Sequence, residues 1–225
     1  MKRLSSILLS LVLFFGGMVP TASANSKYRD GKYIAYVADE HGDIVIELTI
    51  NRAKIDKVEI ISPIKNDNYP NKAAIEFYNK FPQEVVDKQS NEVDLISGAT
   101  KSYNQYRKAT DIALAIASGR YEGNVYYGIA KDYKDHGYVL LEVTIEEDLI
   151  KDVEIIPARD EKIEELAGNK GLRYPYYPAK KLYKDFPKTV VKEQSTDIDI
   201  VSGATVSTKA YNDALKRALE QAGLN

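Results

Sequence analysis

The hydrophobic pattern of the chain changes period between short strand-like runs and longer helix-like stretches. Residues 44–50 alternate apolar and more polar positions, which is the pattern of a strand with one buried face. Other stretches repeat apolar residues every three or four positions, which is the spacing of a helix with one buried stripe. The helical positions are Ala74, Phe77, Tyr78 and Phe81, and, near the end of the chain, Tyr211, Ala214, Leu215, Ala218, Leu219 and Ala222. Strands followed by separate helices predict an α+β fold.

This pattern occurs twice in the chain. The segment FYNKFPQEVVDKQSNEVDLISGAT at 77–100 aligns without a gap on LYKDFPKTVVKEQSTDIDIVSGAT at 182–205, an offset of 105 residues. Further upstream the offset is 95, since VEII stands at 58–61 and again at 153–156. The extra residues of the second copy fall in the polar stretch 157–173, which we expect to form a longer loop or a short extra helix. A repeat of about 100 residues is longer than solenoid repeats and indicates a duplicated domain.

We therefore predict two tandem copies of a small domain in which an antiparallel sheet packs against helices. The first domain is placed at 28–119 and the second at 120–225. Residues 1–24 precede both copies and resemble a signal peptide: Lys2 and Arg3 come before an apolar run, and Ala22-Ser23-Ala24 is a small-residue cleavage site. The alternative is an uncleaved membrane anchor, but the run is short for a span of about 20 residues. We expect an exported protein, extracellular or in the cell envelope.

The composition narrows the chemistry that the chain can perform. The 225 residues include no cysteine, which excludes disulfides, thiolate metal sites and a lipid attached to cysteine. The formal net charge of −2 does not favour a nucleic-acid partner. His41 and His136 are the only histidines, and one histidine per domain makes a poor metal site. We expect no metal and no catalytic residue of the protein's own.

The duplicated heptads DLISGAT and DIVSGAT are the strongest candidates for a site, because each stands where the chain enters the last helix of its domain. Glycine lets the backbone approach a ligand closely. The N–H groups and the dipole of a helix N-terminus favour an anion such as phosphate. The serines would add hydroxyl donors, and the aspartates would orient the loop or hold a divalent ion. The residues concerned are Asp94, Ser97, Gly98, Ala99 and Thr100 in the first copy, and Asp199, Ser202, Gly203, Ala204 and Thr205 in the second.

Helix capping is the alternative interpretation of the same loops, because Ser and Thr are favoured N-cap residues. The residues that follow the two motifs differ strongly, KSYNQY against VSTKAY, while Ser-Gly-Ala-Thr stays identical. A cap tolerates several residue types and does not require Gly-Ala-Thr, so this uneven divergence favours a ligand without naming it.

The motif Asp-x-x-Ser-Gly-Ala-Thr in a small exported α+β domain resembles the FMN-binding domain. That domain occurs in subunits of the Rnf and sodium-translocating NADH:quinone oxidoreductase complexes, and in exported flavoproteins of extracellular electron transfer. The resemblance implies that the last threonine, here Thr100 and Thr205, is esterified to the phosphate of FMN. It also implies that an ApbE-type flavin transferase makes this bond from FAD with Mg²⁺. The Asp, Ser, Gly and Ala of each motif would then form the loop that the transferase recognises and that packs against FMN.

The two copies depart from the family to different degrees. The second continues Val-Ser-Thr after its motif, as family members often do, whereas the first continues with Lys101, Ser102 and Tyr103. This difference favours Thr205 over Thr100 as a flavin carrier.

Tyr69 and Tyr174 each precede a proline at matched positions. Because aromatic rings stack well on one another, they are candidates to cover the flavin ring. The alternative is that each anchors a turn on the core.

The function implied by the resemblance is an exported electron carrier with up to two covalent FMN groups. It would take electrons from a membrane donor linked to quinol or NADH and pass them to a small-molecule or metal-oxide acceptor. It would be a redox carrier more than an enzyme with a substrate site of its own. The alternative of a different class is an envelope-associated binding module that holds a small anionic ligand without a covalent bond.

Overall fold

The computed structural model describes residues 27–39, 43–62, 65, 69–131, 138–156, 176–198 and 202–224. Several predictions concern residues outside these ranges: the signal peptide over 1–24, His41 and His136, the longer loop or extra helix at 157–173, Tyr174 and Asp199. Within the described ranges the predicted α+β fold and its duplication are confirmed. The division of the chain at 119/120 stays a prediction.

Among the described residues, each half of the chain contributes one three-stranded antiparallel sheet and two helices. The first half has β1 (Gly31–Val37), β2 (Ile44–Asn51), β3 (Lys54–Ser62), α1 (Lys72–Lys88) and α2 (Thr100–Ala117). The second has β4 (Val125–Lys131), β5 (Tyr138–Glu146), β6 (Leu149–Ile155), α3 (Tyr177–Glu193) and α4 (Thr205–Ala222). The strand orders are β1-β2-β3 and β4-β5-β6. None of the helices in the described ranges has the length and apolarity that crossing a membrane requires.

The helices pack against one face of each sheet and form a separate core in each half. Most residues of the predicted helical stripes are buried there, and Tyr78 and Ala222 pack partly buried against the same cores, so the periodicity of the sequence identified the correct faces. Full burial of one large apolar side chain contributes about 1.5–3 kcal/mol. The largest of these side chains occupy matched positions, 105 residues apart: Phe77, Phe81 and Tyr106 in the first half, and Leu182, Phe186 and Tyr211 in the second.

The opposite faces of the two sheets pack against each other and form a third core. Successive residues of a strand point to opposite faces, so Tyr33 and Ala35 face the helices while Ile34 faces the other sheet. Equivalent residues of both copies build this contact, as in a two-fold interface between identical subunits. The pairs, each 95 residues apart, are Ile34 and Ile129, Val45 and Leu140, and Ile61 and Ile156.

One buried side chain of α4 connects the neighbouring strands of the two halves. Gln221 accepts a hydrogen bond from the Ile34 N–H at 2.7 Å, and its Nε2 donates to the Tyr127 carbonyl at 2.6 Å. These bonds satisfy one backbone group on β1 and another on β4. Arg217, also on α4, lies 3.5 Å from the buried carboxylate of Glu47 on β2. The helix that carries the second motif is therefore fixed against both halves.

Candidate functional site

Both motifs place their threonine at the first residue of a helix. Helix α2 begins at Thr100 and α4 at Thr205, so the N-cap residues are Ala99 and Ala204. Alanine carries no hydrogen-bond acceptor in its side chain, and neither helix has a side-chain cap. In contrast, α1 is capped by Asn71, whose Oδ1 accepts the Ala74 N–H at 3.1 Å. The Ser and Thr of the motifs thus do not act as N-caps. A helix N-terminus without a side-chain cap favours an anionic ligand.

The side chains of each motif divide between the core and the solvent. Ala99 and Ala204 are buried, whereas Thr100 and Thr205 are exposed. Ser97 and Ser202 are exposed as well. The alanine methyl groups therefore anchor the loops, and the threonine hydroxyls face outward at the helix N-termini.

The glycine of each motif has a left-handed backbone, with φ of +87° at Gly98 and +86° at Gly203. Glycine adopts this conformation without the steric cost that a Cβ brings. At Gly203 an added Cβ would also lie 2.9 Å from the Tyr176 hydroxyl oxygen. At Gly98 its nearest neighbour would be the Ala73 Cβ, at 3.4 Å. The turn accordingly depends on glycine in both copies, more strictly in the second.

A hydrogen bond from the start of the preceding helix holds each glycine carbonyl. Asn71 Nδ2 donates to the Gly98 carbonyl at 3.0 Å, and the Tyr176 hydroxyl donates to the Gly203 carbonyl at 2.5 Å. Asn71 and Tyr176 occupy matched positions, each at the N-cap of the first helix of its half. The same contact is thus made by different side chains. Neither residue was predicted from the sequence, although the 105-residue offset aligns the two positions, directly after the Tyr-Pro pairs.

Asp94 interacts with the end of α1. Its carboxylate accepts a hydrogen bond from Lys88 Nζ at 2.8 Å, and its backbone N–H donates to Glu84 Oε2 at 3.0 Å. The bond to Asp94 raises the pKa of Lys88 above its ordinary value. The Asp94 side chain is 85% exposed, and no group of three or more potential metal ligands exists among the residues with described positions. Asp94 thus connects the loop to α1.

Tyr69 lies with the first motif in the wall of one cavity. This cavity has a volume of about 170 Å³, and Gly98 and Ala99 also line it. Lys65 Nζ stands 4.0 Å from the centroid of the Tyr69 ring, in a cation–π contact. The structure therefore brings Tyr69 and the first motif to the same cavity.

A larger cleft of about 630 Å³ lies between the two halves, and Glu47 and Arg217 are among the residues that line it. Among the described residues, its lining consists mainly of charged side chains and includes none from either motif. The larger cavity and the candidate site are therefore different places.

Comparison with known proteins identifies related domains. A family model described as the FMN-binding domain matches residues 40–115 and 135–220. An NADH:acrylate oxidoreductase of Vibrio harveyi is 30% identical over 96 residues, which are 43% of this chain and 9% of that protein. The chain thus spans less than a tenth of that relative. A crystal structure of the CPE2226 protein from Clostridium perfringens matches with 23% identity and a TM-score of 0.35, over 41% of this chain and 90% of that one.

The residues of both motifs fit this cofactor. An uncapped helix N-terminus suits the phosphate of FMN, and the cavity beside the first motif presents an aromatic ring and polar groups to a planar ligand. The two matched regions include both Ser-Gly-Ala-Thr sequences and well over half of the chain. The chain therefore belongs to the FMN-binding domain family, carries two copies of the domain and has FMN as its cofactor.

Proposed function

We propose that the protein is an exported electron carrier that holds one FMN covalently on Thr100 and another on Thr205. The observation that carries this proposal is the position of each threonine, which is the exposed first residue of a helix without a side-chain cap. FMN supplies the redox chemistry, and the chain supplies its attachment and surroundings. Covalent attachment matters outside the cytoplasm, because a free flavin would diffuse away.

The bond would be made by an ApbE-type flavin transferase, since a threonine hydroxyl is a weak nucleophile that requires activation. The threonine oxygen bonds to the phosphorus on the FMN side of FAD, AMP leaves, and the hydroxyl proton is released, with Mg²⁺ in the transferase. Exposure of both hydroxyls allows another enzyme to reach them. The negative charge of the resulting phosphodiester then lies where the helix dipole and the backbone N–H groups of the first helical turn stabilise it.

A redox role is supported by the name of the Vibrio harveyi relative, an NADH:acrylate oxidoreductase. We infer that electrons arrive from a membrane donor linked to quinol or NADH and leave to a small-molecule or metal-oxide acceptor. Two FMN-binding domains packed in one chain provide two carrier groups for this relay. The predicted signal peptide places the relay in the cell envelope or outside the cell.

The intact mass of the mature protein tests the covalent attachment. When the protein is exported together with a flavin transferase and then denatured, we expect two FMN additions. Expression without the transferase is the control and should give none. No addition, with a transferase shown to be active on another substrate, would contradict the proposal. It would favour the alternative of a reversible site for a small anion.

Removal of the Tyr176 hydroxyl tests whether its hydrogen bond to the Gly203 carbonyl is required for flavin transfer to Thr205. Tyr176→Phe deletes the bond to Gly203 without changing the ring, and a hydrogen bond contributes about 0.5–1.5 kcal/mol. We expect flavin transfer to Thr205 to slow by about two- to tenfold. Transfer to Thr100 in the same chain is the internal control and should keep its rate. Equal rates at Thr205 with and without the hydroxyl would show that the bond has no such role.

A further inference from the structure

The cavity beside the first motif is built in part by polar side chains that have no equivalent beside the second motif. Its wall includes Lys101 and Gln105 from the first turns of α2, together with Asp39. Gln105 Nε2 donates to Asp39 Oδ2 at 2.7 Å, and Lys101 Nζ lies 3.6 Å from Asp39 Oδ1. These contacts hold an amide, an ammonium group and a carboxylate together at one wall.

Tyr106 also lines this cavity, one helical turn beyond Ser102. Its side chain is fully buried, and its ring packs against Phe77 and Phe81 with centroids 5.9 and 5.5 Å away. Its hydroxyl has no hydrogen-bond partner in the part of the chain that the structure describes. An unpaired buried hydroxyl costs free energy, which a ligand with an acceptor atom would recover.

The environment of Tyr106 keeps this hydroxyl a donor. Burial raises the pKa of Tyr106 far above its ordinary value, and the electrostatic effects of Tyr78 and Tyr69 add to the increase. The group thus stays protonated throughout the physiological pH range. Tyr69 is itself part of the cavity wall, so these two tyrosines are electrostatic neighbours at the same site.

The small volume of the cavity indicates that it holds only part of a ligand. Pockets that enclose a drug-sized molecule have volumes of about 300–1,000 Å³, whereas this one has about 170 Å³. The pyrimidine end of an isoalloxazine ring carries two carbonyl acceptors and one N–H donor, and the other end is an apolar dimethylbenzene ring. The donors and the carboxylate in the wall match the pyrimidine end.

We propose that this cavity is a subsite for the pyrimidine end of the FMN on Thr100, with the Tyr106 hydroxyl as its buried hydrogen-bond donor. The dimethylbenzene end then faces solvent, where electrons are exchanged. This proposal rests on the proposed function, because the ring reaches the cavity through its attachment to Thr100.

The subsite is specific to the first half of the chain. The positions of Lys101 and Gln105 are occupied by Val206 and Ala210 in the second half, 105 residues later. Val206 is 50% exposed, and Ala210 is buried in the second core. The ammonium group and the amide are therefore replaced by apolar side chains, and the two flavins have different surroundings.

The test uses the full chain with Thr205→Ala, so that only Thr100 carries flavin. In this background we expect Tyr106→Phe and Gln105→Ala to raise the quenching constant of flavin fluorescence by iodide by about two- to tenfold, as loss of one hydrogen bond would do. The matched control Tyr211→Phe lies in the other half and should leave quenching unchanged. Before flavin transfer, Tyr106→Phe should unfold at the same temperature as its parent or higher, because it removes an unpaired hydroxyl.

The outcomes separate this proposal from the one on which it rests. If the Thr205→Ala chain gains no FMN mass, attachment to Thr100 is wrong, and the subsite is wrong with it. If the FMN is attached but Tyr106→Phe and Gln105→Ala leave iodide quenching unchanged, the subsite is wrong and the covalent attachment stands.

Discussion

Replacement of Thr205 by alanine is expected to remove one of two covalent FMN groups completely and to leave the other in place. Thr100→Ala should do the same for the other site, and the double variant should carry none. The effect is all-or-none because the alanine side chain has no oxygen atom with which to form the phosphoester. Both threonines are exposed, so we expect the free energy of unfolding to change by no more than about 0.5 kcal/mol. Flavin fluorescence in denaturing gels and intact mass both measure the result.

Neighbouring hydroxyls provide the controls for this experiment. Ser102 and Ser207 stand at matched positions two residues further along the same helices, and their alanine variants should retain FMN. Thr205→Ser keeps a hydroxyl at the reacting position and should still accept flavin. If the double threonine variant still carried covalently attached flavin, another residue would have to be the attachment site. The assignment of these two threonines would then be wrong.

The fold could be predicted largely because its information is local and appears twice. The apolar stripes of α1 and α4 and the alternation of β2 identified the faces that pack on the helices. The contact between the sheets could not be predicted in the same way. Val45 belongs to the face of β2 that the alternation assigned to more polar side chains, and the partners of Ile34 and Val45 in the other half lie far away in the sequence. Only the tertiary arrangement of the two copies buries them.

The site was predictable where short-range geometry determines it. A glycine two residues before a helix indicated a backbone that can approach a ligand closely, and the identical motif indicated the threonines. The contacts of Asn71 and Tyr176 with the glycine carbonyls were not predictable, because unlike side chains make the same bond. Tyr106 follows the helical spacing of a core residue, so its unpaired hydroxyl becomes evident only from the packing around it.

Replacement of Gly128 by alanine is expected to destabilise the second half strongly. Gly128 lies on β4 beneath α4, and an added Cβ would stand 1.8 Å from the Ala214 carbonyl oxygen and 3.1 Å from the Ala218 nitrogen. These are backbone atoms, which cannot rotate away as a side chain can. The helix would have to shift, and overpacking of this kind costs about 1–3 kcal/mol or more. The equivalent position in the first half is Tyr33, so this close approach is peculiar to the second.

Urea unfolding of the Gly128→Ala chain measures this cost, and Gly119→Ala is the matched control. A Cβ at Gly119 would meet nothing within 4 Å, although its φ is +72°, so that variant measures backbone strain alone, at about 1 kcal/mol. We expect Gly128→Ala to lose clearly more stability than the control. Because α4 begins at Thr205, its displacement should also slow flavin transfer to Thr205 more than transfer to Thr100. Equal losses of stability in the two variants would mean that α4 does not rest on Gly128, and the packing that positions the second motif would then need another explanation.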